Sequence, residues 1–197
     1  MKVLLHLSAL LFCLQAVGQR DDPSIDLMVT EDGWRKEAFH FPKPFAPEVD
    51  FDGVADVRFT EGWGDIESPH FWSYAFAWKI DLDQRLSDSE LEHYLELYFD
   101  GLMQVVNRDE TLEIPSTNAL FISAPLPEGG LGYEGKIKLY DAFFSHEMVT
   151  LLVNGEYRYC SDLGVHLYLF RLSPQPEEHP TWDHLSKTVL REELCRG

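Results

Sequence analysis

The chain carries 34 acidic residues and eight histidines, so the raw material for general acid–base chemistry and for metal ligation is plentiful. Spacing is what such chemistry needs, and spacing is where the candidates thin out. A helical zinc protease site requires two histidines four apart with a glutamate beside the first, and no pair here has that spacing. His179 and His184 bracket Asp183, and on a helix His179 and Asp183 would share a face. Zinc sites ordinarily draw three or four ligands from the protein, and two residues fall short of that, so no metal is expected. Ser145-His146-Glu147 has the letters of a hydrolytic triad. A triad is assembled by distance in space, however, and neighbours in sequence point to different sides. Asp81 and Asp83 would share a strand face, and paired carboxylates could support glycoside hydrolysis, but chance pairs are expected among so many acids. Gly130-x-Gly132-x-x-Gly135 matches the dinucleotide fingerprint in letters only. That motif must follow a strand and open a helix, so that backbone N–H groups meet a pyrophosphate. Here a Pro-containing loop precedes it and alternating strand residues follow, which makes it a hairpin loop. No cofactor is expected.

The other candidate is a row of rings. In Ser68–Leu82 the even positions are His70, Trp72, Tyr74, Phe76, Trp78 and Ile80, while Ser73, Ala75 and Ala77 lie between them. Side chains alternate across a strand, so one face is bulky and the other small. Trp72, Tyr74 and Trp78 are candidate stacking groups for a sugar or another flat ligand. His166, one of two polar residues in an otherwise apolar strand, joins them as a ligand-binding candidate. Packing inside a core is the competing reading, because aromatic rings dominate cores.

The elements that must position these residues can be read in order. Residues 1–18 have the form of a secretory leader: Lys2, an apolar run from Val3 to Val17, and a small-x-small ending at Ala16-Val17-Gly18. Residues 19–53 hold Pro42, Pro44 and Pro47 among Trp34, Phe39, Phe41, Phe45 and Phe51, and read as an extended arm pinned by rings. Residues 54–197 read as one domain. Strands are expected at 54–60, through the ring ladder, and at 119–124, 136–143, 149–160 and 165–172. Asn154-Gly155 is an ordinary hairpin signal, yet the alternation of Val149, Leu151, Val153, Tyr157 and Tyr159 keeps phase only in one long strand, with a bulge allowed at Gly155. Ser87 with Glu90 forms a capping box. Leu91, Leu95, Phe99 and Leu102 then recur at helical spacing to Asn107. Pro180 opens a second, C-terminal helix. The fold class is α+β: a single antiparallel sheet covered by one long amphipathic helix and a C-terminal helix. Ala75 and Ala77 offer a seat for the long helix. Alternatively the rings meet the helix and the arm covers the alanines.

A net charge of −18 argues against nucleic acid and anionic lipid as partners. No stretch after the leader is long enough to insert in a membrane. Beyond the leader only Cys160 and Cys195 remain, and in an oxidising compartment they can pair. Export, to the periplasm or beyond the cell, follows from the leader.

Phe59-Thr-Glu-Gly-Trp63, Phe71-Trp-Ser-Tyr-Ala-Phe-Ala-Trp78, Tyr98-Phe-Asp-Gly-Leu102 and Ser173-Pro-Gln-Pro176 with His179-Pro180 and Trp182 resemble segments of a family of secreted bacterial proteins of unknown function. The resemblance implies export and a single domain, and no activity. The expected function is that of a non-catalytic binding or interaction module for a small molecule or protein. The alternative is a hydrolase using carboxylates with His146 or His166.

Overall fold

The computed structural model describes residues 22–109, 111–127 and 129–196. The leader expected at 1–18 lies outside the described residues. Nine strands are distinguished: β1 (Met28–Val29), β2 (Arg35–Phe41), β3 (Asp52–Phe59), β4 (Tyr74–Asp81), β5 (Asn118–Pro125), β6 (Leu131–Tyr140), β7 (Met148–Cys160), β8 (Val165–Ser173) and β9 (Val189–Leu190). Helix α1 spans Asp88–Val106 and α2 spans Thr181–Leu185, with a 3-10 turn at Glu192–Cys195. Seven strands form one antiparallel sheet in the order β2-β3-β4-β8-β7-β6-β5, and β1 pairs with β9 in a separate ribbon. Two meanders are therefore joined by the passage through α1. The chain leaves β4, runs through the helix to the far edge at β5, and returns strand by strand until β8 closes on β4.

The two faces of this sheet differ in chemistry. Cross-strand partners share a face, and one such row reads Val57, Phe76, Phe170, Gly155, Tyr133. Gly155 is smooth strand with no bulge. A Cβ there would stand 2.7 Å from the Phe170 ring, so the glycine leaves the room that this ring takes over the backbone. The row on the opposite face reads Arg58, Ala75, Arg171, Asn154, Glu134. Leu27, Met28 and Leu190 of the β1–β9 ribbon and its approach pack on Ala75 and Ala77. Leu91, Leu95, Phe99 and Met103 of α1 belong instead to the cluster of the rings. Of the two arrangements open at Ala75 and Ala77, the buried residues of the helix fall in the ring cluster and those of the ribbon in the alanine cluster.

Four expectations need correction. Gly132 and Gly135, expected in a hairpin loop, lie in β6. The ring ladder does not begin at Ser68. Residues 61–73 turn on themselves, with Trp72 at φ +53°, and the strand starts at Tyr74. The amide of Trp72 is bonded to the Trp63 carbonyl and the hydroxyl of Thr60 to the Ser73 carbonyl, bonds that a straight strand could not make. The 19–53 arm contains the edge strand β2, whose Phe39 and Phe41 enter the core. Prolines 42, 44 and 47 shape only the loop after it. The C-terminal helix from Pro180 stops at Leu185, because Val189 and Leu190 pair with Val29 and Met28 while the Leu190 side chain is buried. Pairing and burial outweigh a helical spacing of apolar residues.

The acids of α1 do more than face solvent. Asp88, Glu92, Glu96 and Asp100 stand four residues apart, and each carboxylate accepts a backbone N–H of the β5 edge: Ser123, Phe121, Ala119 and, just before the strand, Thr117. Four helical residues advance about 6 Å and two strand residues about 6.7 Å, so the two repeats stay in step over this length. An exposed edge is a template for unwanted pairing, and here a helix closes its donors.

Charges also hold the ribbon. Asp56, fully buried on β3, accepts from Leu27 N–H and from the Arg58 guanidinium, which also binds Asp26. Arg191 reaches Asp26 at 2.7 Å. Cys160 and Cys195 lie at disulfide distance, tying the end of β7 to the last turn.

Replacing Glu92 by Ala is expected to cost about 1 kcal/mol, the usual worth of such a bond. Hydrogen exchange of the Phe121 amide should accelerate more than that of Ile137 in β6, and equal acceleration would contradict the ladder. Asp26 gives an acid test. Burial raises its pKa, but the Arg58 hydrogen bond and the charges of Arg191 and Lys36 win and lower it. The unfolded chain then takes up the proton first. The stabilisation is present above about pH 4 and is lost as pH falls through the folded value. Urea midpoints compared at pH 6 and pH 3 should drop less for Asp26→Asn than for the wild type.

Candidate functional site

Trp72, Tyr74 and Trp78 are 1, 5 and 2% exposed, so none presents a ring face to a ligand. Trp72 and Tyr74 pack in a nest with Trp63, Phe143 and Phe144, and Trp78 lies edge-on to Phe41 and against Phe51 and Phe170. Burial in this ring cluster pushes the Tyr74 phenol well up. Neither the Trp63 nor the Trp72 indole N–H finds an acceptor among the described residues.

His166 is also buried, at one end of the ring face. Its Nε2 faces the Leu82 carbonyl at 3.0 Å and therefore donates, so in the neutral ring Nδ1 accepts from the Tyr157 hydroxyl at 2.9 Å. Burial raises the Tyr157 pKa. Both nitrogens are thus committed, and no carboxylate is among their partners. His146 is exposed, at φ +55°, on a turn whose amides and Ser145 hydroxyl are all gathered by buried Asp141. The letters Ser145-His146-Glu147 therefore describe a turn capped by an aspartate, with the serine hydroxyl donating to Asp141 and not to a histidine.

What the tertiary structure does assemble lies on the alanine side, around α2. The row Glu134–Asn154–Arg171 crosses β6, β7 and β8. Arg171 donates to Asn154 Oδ1 at 3.2 Å, to Glu156 Oε1 at 2.8 Å and to the Thr188 carbonyl at 2.7 Å, which fastens the segment after α2 to the sheet. Between that row and α2 is a pocket of about 270 Å³. Glu134, Asn154 and Arg171 floor it with Leu152, and Trp182, Ser186 and Glu177 wall it. The Trp182 ring is held by its Nε1 donating to the Gln175 carbonyl at 3.0 Å.

On its other side α2 meets a histidine cluster. Thr181 Oγ1 lies 3.0 Å from His70 Nδ1 and 2.9 Å from His179 Nδ1. His184 Nδ1 lies 2.7 Å from Glu31 Oε2, and Lys187 holds the other oxygen of that carboxylate at 2.7 Å. The His70 and His184 rings are 5.4 Å apart. Burial lowers the His70 pKa, and the neighbouring His184 and His179 lower it further. Among the described residues no group of three or more His, Cys, Asp or Glu is arranged to hold a metal ion, and no helix is long and apolar enough to cross a membrane.

Sequence reasoning named His179, His184 and Asp183 without their partners. Glu31 and His70 lie more than a hundred residues away, and no local pattern announces such a pairing. Asn154, Glu134 and Trp182 were missed as a set because their meeting depends on strand register. No family model matches the chain, and no curated protein or solved structure matches it.

The Tyr157–His166–Leu82 relay is expected to be structural. Tyr157→Phe should lower stability by about 1 kcal/mol, measured by urea unfolding, and should move the His166 ring signals in NMR while leaving those of His184 in place.

Proposed function

We propose that this protein is an exported, non-catalytic binding module that takes a small hydroxylated ligand, such as a monosaccharide, in the pocket between the β6–β7–β8 face and α2. The pocket carries the reading. One fixed indole beside an amide, two carboxylates and a hydroxyl is the mixture that stacks on a sugar ring and satisfies its hydroxyls, and a volume of about 270 Å³ suits a small ligand. The role first expected of Trp72, Tyr74, Trp78 and His166 passes to Trp182, whose ring borders a void.

In this reading α1 is the cover of the ring face. The apolar residues it shares with that cluster and its carboxylate ladder along β5 support the assignment. The opposite face, where Leu120 and Ile122 are open to water, is then left for the ligand. The cysteine pair and the leader-like first 18 residues support work in an oxidising compartment outside the cytoplasm, in line with the resemblance to secreted proteins. The strong negative charge disfavours nucleic acid.

Saturation-transfer NMR with a panel of monosaccharides tests this. At least one sugar should receive saturation from the wild type, and Trp182→Ala, which removes the stacking face but no core contact of the ring cluster, should lose at least tenfold in affinity. Absence of transfer to every sugar, or full binding by Trp182→Ala, would overturn it.

A further inference from the structure

We propose that His70 and His184 form a two-histidine site for a divalent transition metal such as Zn²⁺ or Cu²⁺, on the side of α2 away from the pocket. The hydrogen bonds around the two rings decide which nitrogens are free. The Thr181 amide donates to His179 Nδ1 at 3.2 Å, so that nitrogen is an acceptor. The Thr181 hydroxyl lies 2.9 Å from that lone pair and 3.1 Å from the Pro69 carbonyl, two acceptors that only its own single proton can serve, and giving that proton to His70 would leave both facing a bare oxygen. Whichever of the two takes it, Thr181 Oγ1 has no proton left for His70, and His70 Nδ1–H must donate to it. His184 Nδ1 faces a carboxylate and must donate as well.

Both rings therefore carry their proton on Nδ1 and an open lone pair on Nε2. Among the described residues neither Nε2 has a hydrogen-bond partner. A ligating histidine has this form: the far nitrogen donates to a carboxylate or another oxygen, which fixes the tautomer and the ring orientation. The two rings are also close enough to share a metal. With a metal about 2.0–2.1 Å from each Nε2 at a tetrahedral angle, the two ring centroids stand roughly 5.3 Å apart, against 5.4 Å here, with the rings at 85°. Imidazole nitrogen suits zinc and copper. Two protein ligands leave the remaining positions to water. Thr181 and Glu31 are positioning residues, and His179 holds Thr181.

The test is a titration of the full chain with ZnCl₂ and with CuCl₂ at pH 7.5, followed by calorimetry and, for copper, by visible absorption. One equivalent should bind with micromolar affinity, and the Cε1–H signals of two histidines should move. His70→Gln and His184→Gln should each weaken binding at least tenfold, while His93→Gln on α1 leaves it unchanged. Thr181→Val should weaken it with the ligands intact. The metal should raise Tm in the wild type and not in His70→Gln or His184→Gln, and melting in EDTA shows whether each variant is folded. Absence of binding by the wild type, or binding that survives both histidine substitutions in folded protein, overturns the site. Neither result bears on the sugar pocket, because Trp182→Ala is read separately.

Discussion

β4 is buried on both faces, and the asymmetry of its side chains sets the order of everything around it. Tyr74, Phe76 and Trp78 fill one side with rings, and Ala75 and Ala77 leave the other nearly flat. Large side chains hold a covering layer away from the sheet, whereas alanines let backbone approach closely. A helix with Leu and Phe projecting suits the first condition. A ribbon of two short strands suits the second, and its Met28 and Leu190 share one buried cluster with the alanines. Gly155 continues the same logic across the sheet, where the Phe170 ring takes the space of a side chain.

A chain with 34 acids against 16 bases is expected to spend most of its charge on solvation, and much of it does lie at the surface. A minority of the acids is structural. The ladder from Asp88 to Asp100 closes one edge of the sheet. Asp56 and Asp26 around Arg58 and Arg191 bind the amino-terminal segment to the face that the alanines leave open. In both places the carboxylate answers donors that would otherwise be left without an acceptor away from water, which is costly. Glu31 repeats the pattern for His184 and Lys187.

The segment from His179 to Lys187 is where these themes meet. Its helix is only five residues long, yet it offers Trp182 and Ser186 to the pocket and His184 to the histidine cluster. Its position is set from both sides, by the Arg171 bonds to the Thr188 carbonyl and by the Thr181 hydroxyl between two imidazoles. A short element held at two places can carry two chemistries without being long enough to be stable alone.

Local pattern was enough wherever one element answered to its own neighbours. The capping box at Ser87, the period of α1, the continuity of β7 through Asn154-Gly155 and the strand nature of β8 are all written in adjacent residues, because caps and periodicity act over a few positions. Even the pairing of Cys160 with Cys195 could be read from there being no other cysteine after Cys13. What faced the alanines, where the carboxylates of α1 went, and which histidines met were decided only when distant segments came together. His184 and Glu31 are 153 residues apart, and the pocket floor depends on the register of three strands. Register and long-range contact are properties of the packed whole, and alternation along one strand carries no record of which residue will lie beside it on the next.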